Sequence, residues 1–363
     1  ESSYDYALVD SIYVTDDFMI GGGRTFEIDD GWDSALSIQL SNDERVTVHA
    51  YTGDEHQVAL IWESRYGSGK FVFDNFGIYT KEWRGFYAAS YSLLDSVSVY
   101  PVINGSSFYL DDFPSQVPDG SSEYVWRDYG TTNRDFYVNI WWPDMMQLSD
   151  EYGLKYTGLA IECYDDVVDG TTPSQPDEQT FLYFGNMLLR MGGEIGYHGY
   201  NHQPLCLDDC DYNGVYDYKT WTSEAAMKSG IDSLIELCDR LFPGVNINVY
   251  VPPSNILSDG AEKFLAREYP GIRTISGIYF DSDDIDFYCT QEFDVTPEGI
   301  VAQPRIISGC DLTPYMKIAA MSELNFHYVN SHFTHPDDSL DPDRGAEMGW
   351  EALKAHFQDY LDW

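Results

Sequence analysis

Residues 192–203, GGEIGYHGYNHQ, place two histidines four positions apart, directly after a run of small and apolar residues. The whole chain of 363 residues holds only 8 histidines, so the pair stands out. His198 and His202 share a face if the segment turns helically, because residues i and i+4 are neighbours on a helix. Neutral imidazoles at this spacing are good ligands for zinc and similar metals. The pair is either a metal-binding pair or a polar pair on a surface turn.

From about residue 105 onward, short apolar strands alternate with helical patterns around this stretch. We predict strands at 106–110, 154–162, 193–197, 246–251, 272–280 and 326–331. We predict helices at 177–190, 222–241, 258–268, 313–322 and 345–361, with Ser223 and Ser258 as N-caps of two of them. This alternation is typical of βα units around a parallel sheet or barrel.

The first hundred residues have a different pattern. Alternating and apolar runs separated by glycine-rich turns predict strands, with one helix at 82–94. We therefore predict two domains: a smaller β-rich accessory domain over 1–104, with carbohydrate binding as its candidate role, and a barrel domain over 105–363.

Two further polar groups fall at the ends of predicted strands, where βα barrels assemble their active sites. In FYLDDFPS, residues 108–115, the strand ends in Asp111 and Asp112. One carboxylate could bind a metal while the other faces substrate, or the pair is a polar strand end. In FHYVNSHFTHPDD, residues 326–338, His332 ends a strand and His335 follows it. Either histidine suits general acid chemistry, because the ordinary imidazole pKa is near neutrality.

These motifs resemble those of the polysaccharide deacetylase superfamily. GGEIGYHGYNH is similar to its second motif, YLDDFPS to its first, YVPPSN at 250–255 to its third, and NSHFTHPDD at 330–338 to its last. The residue patterns LDDFPS, VPPSN and SHFTHPDD look closer to those of carbohydrate esterase family 18, a branch that includes secreted deacetylases of amino-sugar exopolysaccharides. The resemblance implies an α/β fold with a distorted (β/α)7-type barrel over roughly 105–340.

The resemblance also implies roles for individual residues. Asp112, His198 and His202 would hold one divalent metal, most often zinc. Asp111 would be the base that activates a metal-bound water as nucleophile, and His332 the acid that protonates the leaving amine. The metal would also polarise the acetyl carbonyl.

Two features depart from the family pattern. Many members carry an arginine before the proline of the third motif, where it positions the base, but this chain has Val251 there. Asn255 of the same motif is instead a candidate substrate contact. The second departure is the histidine pair: His332 is the predicted acid and His335 a candidate substrate contact, and the choice of acid between the two stays open.

Other candidate sites are weaker. Aromatic side chains near the motifs are either sugar platforms or core packing: Trp126, Trp141, Trp142 and Tyr200. The run DDCDYNG at 208–214 matches the opening of a calcium loop at Asp209, Asp211, Asn213 and Gly214. Its twelfth position holds Thr220 rather than an acidic ligand, so calcium is a minor alternative to an acidic insertion.

Composition limits the partners. The formal net charge of -41 either adapts the surface to high salt or attracts a cationic ligand. We expect no nucleic-acid partner, because phosphate recognition needs Lys and Arg clusters that the sequence lacks. No run is long and apolar enough to span a bilayer, and no pattern indicates a protein partner.

Cysteine use bears on the compartment. Six cysteines in an acidic, lysine-poor chain fit a secreted or cell-surface protein with some disulfides, and Cys206–Cys210 and Cys289–Cys310 are candidate pairs. We interpret the chain, which begins at Glu1, as a mature or trimmed form.

The sequence therefore predicts a secreted metal-dependent N-deacetylase acting on an acetylated amino-sugar polysaccharide. Two alternatives remain: a non-catalytic carbohydrate-binding protein that retains the fold, and a metal-dependent amidase or esterase acting on small acetylated substrates.

Overall fold

The computed structural model describes residues 5–28, 33–53, 58–77, 80–114, 118–207, 210, 212, 216–280 and 288–363. The chain divides into two compact units. The first consists of Glu1–Gly105 with Leu312–Asn330, and the second of Ser106–Asp311 with Ser331–Trp363. The predicted division differs in one segment: we assigned Leu312–Asn330 to the barrel domain, but it belongs to the first unit.

The strands of the described chain are β1 (Tyr6–Leu8), β2 (Ser11–Val14), β3 (Arg24–Glu27), β4 (Ser34–Leu36), β5 (Val46–Thr52), β6 (Ala59–Tyr66), β7 (Gly69–Asp74), β8 (Phe108–Phe113), β9 (Tyr156–Ala160), β10 (Glu194–Tyr197), β11 (Val249–Tyr250), β12 (Thr274–Ile275), β13 (Asp294–Val295), β14 (Val301–Ala302), β15 (Arg305–Ser308) and β16 (Ser331–Thr334). The helices are α1 (Arg84–Ser92), α2 (Glu123–Tyr129), α3 (Asn133–Phe136), α4 (Trp142–Tyr152), α5 (Glu178–Arg190), α6 (Glu224–Leu241), α7 (Asp259–Glu268), α8 (Pro314–Phe326) and α9 (Trp350–Asp362). A π-helical stretch, Tyr137–Trp141, joins α3 to α4. Short 3-10 helices occupy Lys81–Trp83, Pro253–Asn255, Pro336–Ser339, Pro342–Arg344 and Ala346–Met348.

The first unit contains an antiparallel sheet with the strand order β3-β2-β5-β6-β7, together with the antiparallel pair β1–β4. Strand β6 reads ALIWESRY and buries its first five residues, so it runs through the core. Ile12, Leu60 and Ile61 are fully buried there. Apolar burial of this kind is the main stabilising contribution to a β-rich unit.

Helix α8 belongs to the first unit because it packs closely on α1. A Cβ atom at Gly85 of α1 would lie 2.3 Å from the carbonyl oxygen of Ser322, so the approach requires glycine. The Gly85 amide donates to the Ser322 hydroxyl at 2.7 Å, and Arg84 pairs with buried Glu323 at 2.7 Å. These contacts join residues far apart in sequence, which explains why local pattern did not separate α8 from the barrel.

The second unit is an α/β fold whose sheet has the strand order β13-β14-β12-β11-β10-β9-β8-β16-β15. Neighbouring strands are parallel except for β13 with β14. The sheet curls until β15 meets the segment after β12: the Arg305 amide donates to Gly277 O at 2.8 Å, and the Tyr279 amide donates to Arg305 O at 3.1 Å. The predicted α/β fold, a distorted barrel with a smaller β-rich part before it in the chain, is confirmed.

Most predicted helices lie within a few residues of their observed positions. The hydroxyls of Ser223 and Ser258 accept from the amides of Ala226 and Ala261, as their predicted N-cap roles require. The strand predicted at 326–331 is wrong, because α8 continues to Phe326 and the strand is β16.

The helical run from α2 to α4 was not predicted. Two of its tryptophans are core residues: Trp141 and Trp142 are each 1% exposed, and the Trp142 ring lies 5.3 Å from that of Phe184 on α5. Neither tryptophan is available as a sugar platform. Within the described ranges, every helix falls short of the length and apolarity needed to cross a bilayer.

Candidate metal centre

The carboxylates of Asp111 and Asp112 diverge at the end of β8. Asp112 adopts a left-handed backbone conformation, with φ of 57°, which Asp tolerates better than most residues. Asp111 is 2% exposed, whereas the side chain of Asp112 is 17% exposed and faces the loop after β10. The turn therefore separates one buried carboxylate from one at the mouth of the site.

His198 and His202 converge on Asp112 through a loop rather than through a helix face. Gly199 and His202 have φ values of 88° and 58°, and this left-handed pair reverses the chain. The Nε2 atoms of His198 and His202 lie 3.5 Å and 3.6 Å from Asp112 Oδ1. Tetrahedral ligands about 2.0–2.2 Å from one zinc ion would lie roughly 3.3–3.6 Å apart. The three atoms are therefore spaced as ligands of one ion, within 4.8 Å of one another.

The chemistry of these three side chains fits a metal. Asp112 Oδ1 is buried and makes no hydrogen bond, which is costly without a cation. His198 Nδ1 lies 2.8 Å from Val251 O, so it carries the proton and leaves Nε2 free. Burial lowers the pKa of His202 to about 4, although the Asp112 carboxylate acts to raise it. The His202 imidazole is therefore neutral at pH 7. One carboxylate and two imidazoles make the donor set of a catalytic zinc site with open positions.

The second nitrogen of His202 is also held. His202 Nδ1 lies 3.2 Å from the Tyr218 hydroxyl, which is 2.6 Å from Ser254 Oγ. A His202 Nδ1–H that donates to Tyr218, with Tyr218 donating in turn to Ser254, is the arrangement that leaves His202 Nε2 unprotonated for a metal. The Tyr164 ring lies 5.4 Å from the His202 ring.

The residue that positions Asp111 is Arg305 of β15. Arg305 Nη1 lies 2.6 Å from Asp111 Oδ2, and both side chains are almost fully buried. The same guanidinium lies 3.9 Å from the centre of the Phe333 ring and donates to Asn255 Oδ1. Asn255, predicted as a substrate contact, therefore helps to hold Arg305. The family pattern has an arginine at the position of Val251. In this chain, Arg305 supplies the positive charge beside Asp111 instead.

Arg305 was missed by sequence reasoning, although a signal existed. It stands in the apolar run AQPRIIS, residues 302–308, of a chain that has only 20 Lys and Arg residues. A buried arginine needs a partner. Burial raises the pKa of Asp111, but the charges of Arg305 and His335 lower it below its ordinary value. Asp111 is therefore ionised at neutral pH.

His335, rather than His332, lies beside Asp111. Its Nε2 atom is 3.6 Å from Asp111 Oδ2, and its Nδ1 atom is 3.4 Å from Asp338 Oδ1. Burial lowers the pKa of His335, but the Asp338 and Asp111 carboxylates outweigh it and raise the pKa to about 9. His335 is therefore protonated at neutral pH.

Asp338 is a buried carboxylate held by several donors. Its Oδ2 atom accepts from Thr334 Oγ1 at 2.7 Å and from the His335 amide at 2.9 Å. Arg344 Nη1 donates to its Oδ1 atom at 2.9 Å and lies 3.3 Å from Asp337. Because Arg344 and His335 already supply positive charge, this acidic group is an ion-pair network rather than a second metal site.

His332 occupies a different environment. Along β16, alternate side chains face opposite sides of the sheet, so His332 points away from Phe333, on which Arg305 stacks. Its Nε2 atom lies 2.7 Å from Gly309 O, and its ring lies 4.6 Å from the Phe357 ring of α9. Burial lowers its pKa to about 4. His332 is a neutral packing residue in this arrangement, which does not favour its predicted role as the acid.

The other predicted substrate residues do not join the cluster. Tyr200 is 1% exposed, and its hydroxyl accepts from the Ser174 amide at 3.2 Å, so it anchors a loop instead of presenting a ring to sugar. Trp126 is 61% exposed on α2, where its backbone bonds Ser122 and Gly130. The structure therefore brings together Asp111, Asp112, His198, His202 and His335, but not Tyr200 or Trp126.

Asn201, between the paired histidines, was also missed. It is 1% exposed, and its side-chain amide donates to Asp165 Oδ1 and to Val167 O, both at 2.8 Å. Gln203 donates to Asp165 O at 3.1 Å. The histidine motif thus fixes the acidic loop after β9 as well as the candidate ligands.

Two remaining predictions concern the region after the motif. Cys206 and Cys210 form a disulfide, as predicted. The Cys289–Cys310 pairing is wrong, because both cysteines are free thiols, Cys310 fully buried in the core. The calcium ligands predicted at Asp209, Asp211, Asn213 and Gly214 lie outside the described residues.

Comparison with solved structures gives distant likenesses. A CE4 family pseudoenzyme from Bacillus anthracis is 12% identical, with 74% of this chain and 65% of that chain covered and a TM-score of 0.34. The carbohydrate deacetylase Agd3 is 12% identical over 91% of this chain and 62% of that chain, with a TM-score of 0.44. A family 4 acetyl xylan esterase from Clostridium thermocellum, in complex with a cobalt ion, is 11% identical over 64% and 73%, with a TM-score of 0.33.

No curated protein matches the sequence. A family model does match, over residues 8–363 and thus nearly the whole chain. Its description is "Uncharacterised protein conserved in bacteria". The chain therefore belongs to the DUF2194 family.

Proposed function

We propose that this protein is a metal-dependent hydrolase that removes N-acetyl groups from an amino-sugar polysaccharide. One observation carries the proposal: Asp112, His198 and His202 face one point, beside an ionised Asp111 and a protonated His335. Two neighbouring groups whose environments drive their pKa values apart are the usual pair for base and acid chemistry. A structural metal site would need neither group.

Asp111 acts as the base in this proposal. Arg305 occupies its Oδ2 atom, whereas its Oδ1 atom is buried and makes no hydrogen bond. Oδ1 is therefore available to accept a proton from the attacking water. A divalent metal held by Asp112, His198 and His202 would polarise the acetyl carbonyl and acidify water. Zinc is the expected ion because the donors are imidazoles and a carboxylate.

His335 acts as the acid. Water oxygen adds to the acetyl carbon, and the C–N bond then breaks as the nitrogen takes a proton from His335 Nε2. Asp338 holds Nδ1 on the other side of the ring, which fixes the orientation of the donor. The products are acetate and a free amine on the sugar. We therefore assign the acid role to His335 in place of His332.

A polymeric, extracellular substrate is part of the proposal. The Cys206–Cys210 disulfide suits an oxidising compartment, and the net charge of -41 suits a product that gains positive amines. The motif wording supports the carbohydrate esterase family 18 branch, whose secreted members act on exopolysaccharides. The β-rich first unit would then hold the polymer.

The test combines metal content with acetate release. We expect about one equivalent of divalent metal per chain, and acetate release from N-acetylated hexosamine oligomers by the wild type but not by Asp111→Asn, which keeps the metal. Bound metal with no acetate from any acetylated glycan would instead indicate a carbohydrate-binding protein. Faster turnover of acetylated monomers than of oligomers would indicate a small-molecule amidase or esterase.

The pH profile tests the acid. Because His335 must be protonated to donate, kcat/KM should fall as pH rises through its pKa of about 9. Asp338→Asn removes the main stabiliser of the protonated ring, so the fall should begin roughly 1–2 pH units lower. Asp341→Asn makes the same charge change in the same loop and should leave the profile unchanged. An unchanged alkaline limb in a folded Asp338→Asn variant would remove His335 from the acid role.

A further inference from the structure

Tyr218 contacts a proposed metal ligand from a part of the chain that lies outside the four motifs. Its hydroxyl lies 3.2 Å from His202 Nδ1 and 2.6 Å from Ser254 Oγ. The Tyr218 ring is half-buried, and its centre lies 6.0 Å from that of the His202 ring. Tyr218 follows His202 by 16 positions, so a segment that folds back on the motif delivers the hydroxyl.

One order of donors along these contacts suits a metal. A metal binds the lone pair of Nε2, so the ring proton of His202 lies on Nδ1. That N–H group donates to the Tyr218 oxygen, and the Tyr218 hydroxyl donates to Ser254. His198 uses a backbone carbonyl, Val251 O, for the same purpose. His202 depends on a side chain instead, and a side chain can be replaced without a change to the backbone.

The Tyr218 ring is held by a tyrosine cluster, which consists of Tyr212, Tyr216, Tyr218 and Tyr288. The Tyr216 ring stacks on that of Tyr218 with their centres 5.3 Å apart, and the Tyr212 ring meets it edge to face at 5.9 Å. The hydroxyls of Tyr216 and Tyr288 lie 2.5 Å apart. These contacts limit the movement of the Tyr218 side chain.

The Cys206–Cys210 disulfide belongs to the buried group on which these rings pack. Cys206 is fully buried, and Cys210 is 7% exposed. Tyr212 and Ile256 complete the buried group, and the rings of Tyr216, Tyr218 and Tyr288 lie against it. The disulfide therefore supports the tyrosine cluster by direct packing.

Two backbone hydrogen bonds also fix the position of Tyr218. The amide of Lys219, the next residue, donates to Gln203 Oε1 at 2.8 Å. The Trp221 amide donates to Cys206 O at 2.8 Å. Gln203 directly follows His202, so these bonds join the segment that carries the hydroxyl to the segment that carries the imidazole.

Ser254, the other partner of Tyr218, belongs to the segment that also holds the proposed base. Ser254 and Asn255 have left-handed φ values of 47° and 58°. Ser254 bonds Tyr218, whereas Asn255 bonds Arg305, the partner of Asp111. The two adjacent side chains therefore serve different halves of the site.

We propose that Tyr218 is a positioning residue for the metal: its hydroxyl fixes the His202 imidazole as a ligand, and the disulfide-supported tyrosine cluster holds that hydroxyl in place. The inference deepens the proposed function, because it rests on the metal proposed at Asp112, His198 and His202. Without the hydroxyl, the His202 Nδ1–H group loses its acceptor and the ring is free to turn, so the affinity for the metal falls.

Metal affinity is the primary measurement. The full chain, freed of metal by dialysis against a chelator, is titrated with Zn²⁺ against a competing chelator and with Co²⁺, whose visible absorption reports the geometry of its ligands. We expect Tyr218→Phe, which keeps the ring, to weaken Zn²⁺ binding about tenfold or more and to change the Co²⁺ absorption. A folded Tyr218→Phe variant with the metal affinity and Co²⁺ absorption of the wild type would overturn the inference.

The matched control is Tyr269→Phe. The Tyr269 hydroxyl donates to Asp232 at 2.8 Å, so this variant also removes a bonded phenol hydroxyl from the second unit. It should bind Zn²⁺ and Co²⁺ like the wild type. Loss of metal in both variants would show that any lost tyrosine hydroxyl weakens the site through general loosening, and would also count against the inference.

Ser254 variants test the other end of the chain of donors. Both Ser254→Ala and Ser254→Gly should weaken Zn²⁺ binding by about two- to fivefold, as for the loss of one neutral hydrogen bond. Glycine adopts a φ of 47° without strain, so a loss in both variants identifies the hydroxyl as the cause. A loss in the alanine variant alone would identify backbone strain and remove Ser254 from the proposed chain.

The disulfide is tested by replacing both Cys206 and Cys210 with serine. This change should weaken Zn²⁺ binding in the wild type but add little further loss in Tyr218→Phe, because both changes act on one hydroxyl. Full additivity would show that the disulfide does not act through Tyr218. Weaker metal binding by Tyr218→Phe, with no acetate release by the wild type from any acetylated glycan, would keep this inference and reject the proposed function. Acetate release with unchanged metal affinity in Tyr218→Phe would do the reverse.

Discussion

The His202→Asn variant is expected to lose the metal and, with it, more than about 99% of acetate release. Even residues that only orient a ligand typically change metal affinity about 10–100-fold, so removing a ligand should cost more. Asparagine is the informative replacement because His202 has a φ of 58°, a conformation that Asn tolerates and Ala does not. The substitution therefore removes the imidazole without straining the loop.

The matched control is His327→Asn. His327 has a φ of 60° at the end of α8 and stacks on Tyr100, so the control makes the same exchange in the same backbone conformation within the first unit. Metal content is measured by mass spectrometry after dialysis, and acetate release on the same samples. Full metal content in a folded His202→Asn variant would show that the ion binds elsewhere. Loss of metal in the control would point to general unfolding.

The candidate ligands could be predicted because they belong to local motifs at strand ends. Asp112 follows one apolar strand, and His198 and His202 follow another. The carboxyl ends of parallel strands meet at one edge, so position in the chain almost fixes position in space. The predicted backbone conformation was wrong: the two histidines meet through left-handed residues in a loop, and not on one face of a helix.

The supporting residues could not be predicted, because their roles depend on distant contacts. Arg305 meets Asp111 across 194 positions, on strands that the chain order does not make neighbours. The choice between His332 and His335 depended on which side of β16 faces Asp111. The predicted strand, 326–331, begins five residues before β16, because α8 continues to Phe326. That shift concealed the alternation that turns His332 away from Asp111.

Replacing Arg305 tests the arrangement most severely. Arg305→Met removes the buried partner of Asp111 and should destabilise the fold by about 3–5 kcal/mol at neutral pH, because one uncompensated charge remains buried. Acetate release should fall at least about 100-fold, since the base loses the group that orients it. Arg305→Lys keeps the charge but loses the planar fork that also reaches Asn255, so an intermediate loss is expected.

The pH dependence of stability separates a lost charge pair from a lost packing contact. In the wild type, Arg305 holds the pKa of Asp111 below its ordinary value. The pair therefore stabilises the fold fully at pH values above the ordinary carboxyl pKa, and this contribution is lost as pH falls through the lowered pKa. In Arg305→Met, burial raises the pKa of Asp111, so the cost of the variant should shrink as acid neutralises the carboxyl. Denaturant unfolding at pH 7 and pH 4.5 measures the difference.

The double variant Asp111→Asn with Arg305→Met removes the unpaired Asp111 carboxylate by substitution, without a change of pH. The double variant should regain much of the stability lost in Arg305→Met at pH 7 while staying inactive, because the base is absent. Recovery of stability without activity would place both residues in one charge pair. If the double variant is as unstable as the sum of the two single variants, Arg305 stabilises the fold through its contact with Phe333 instead, and the positioning of Asp111 must come from another residue.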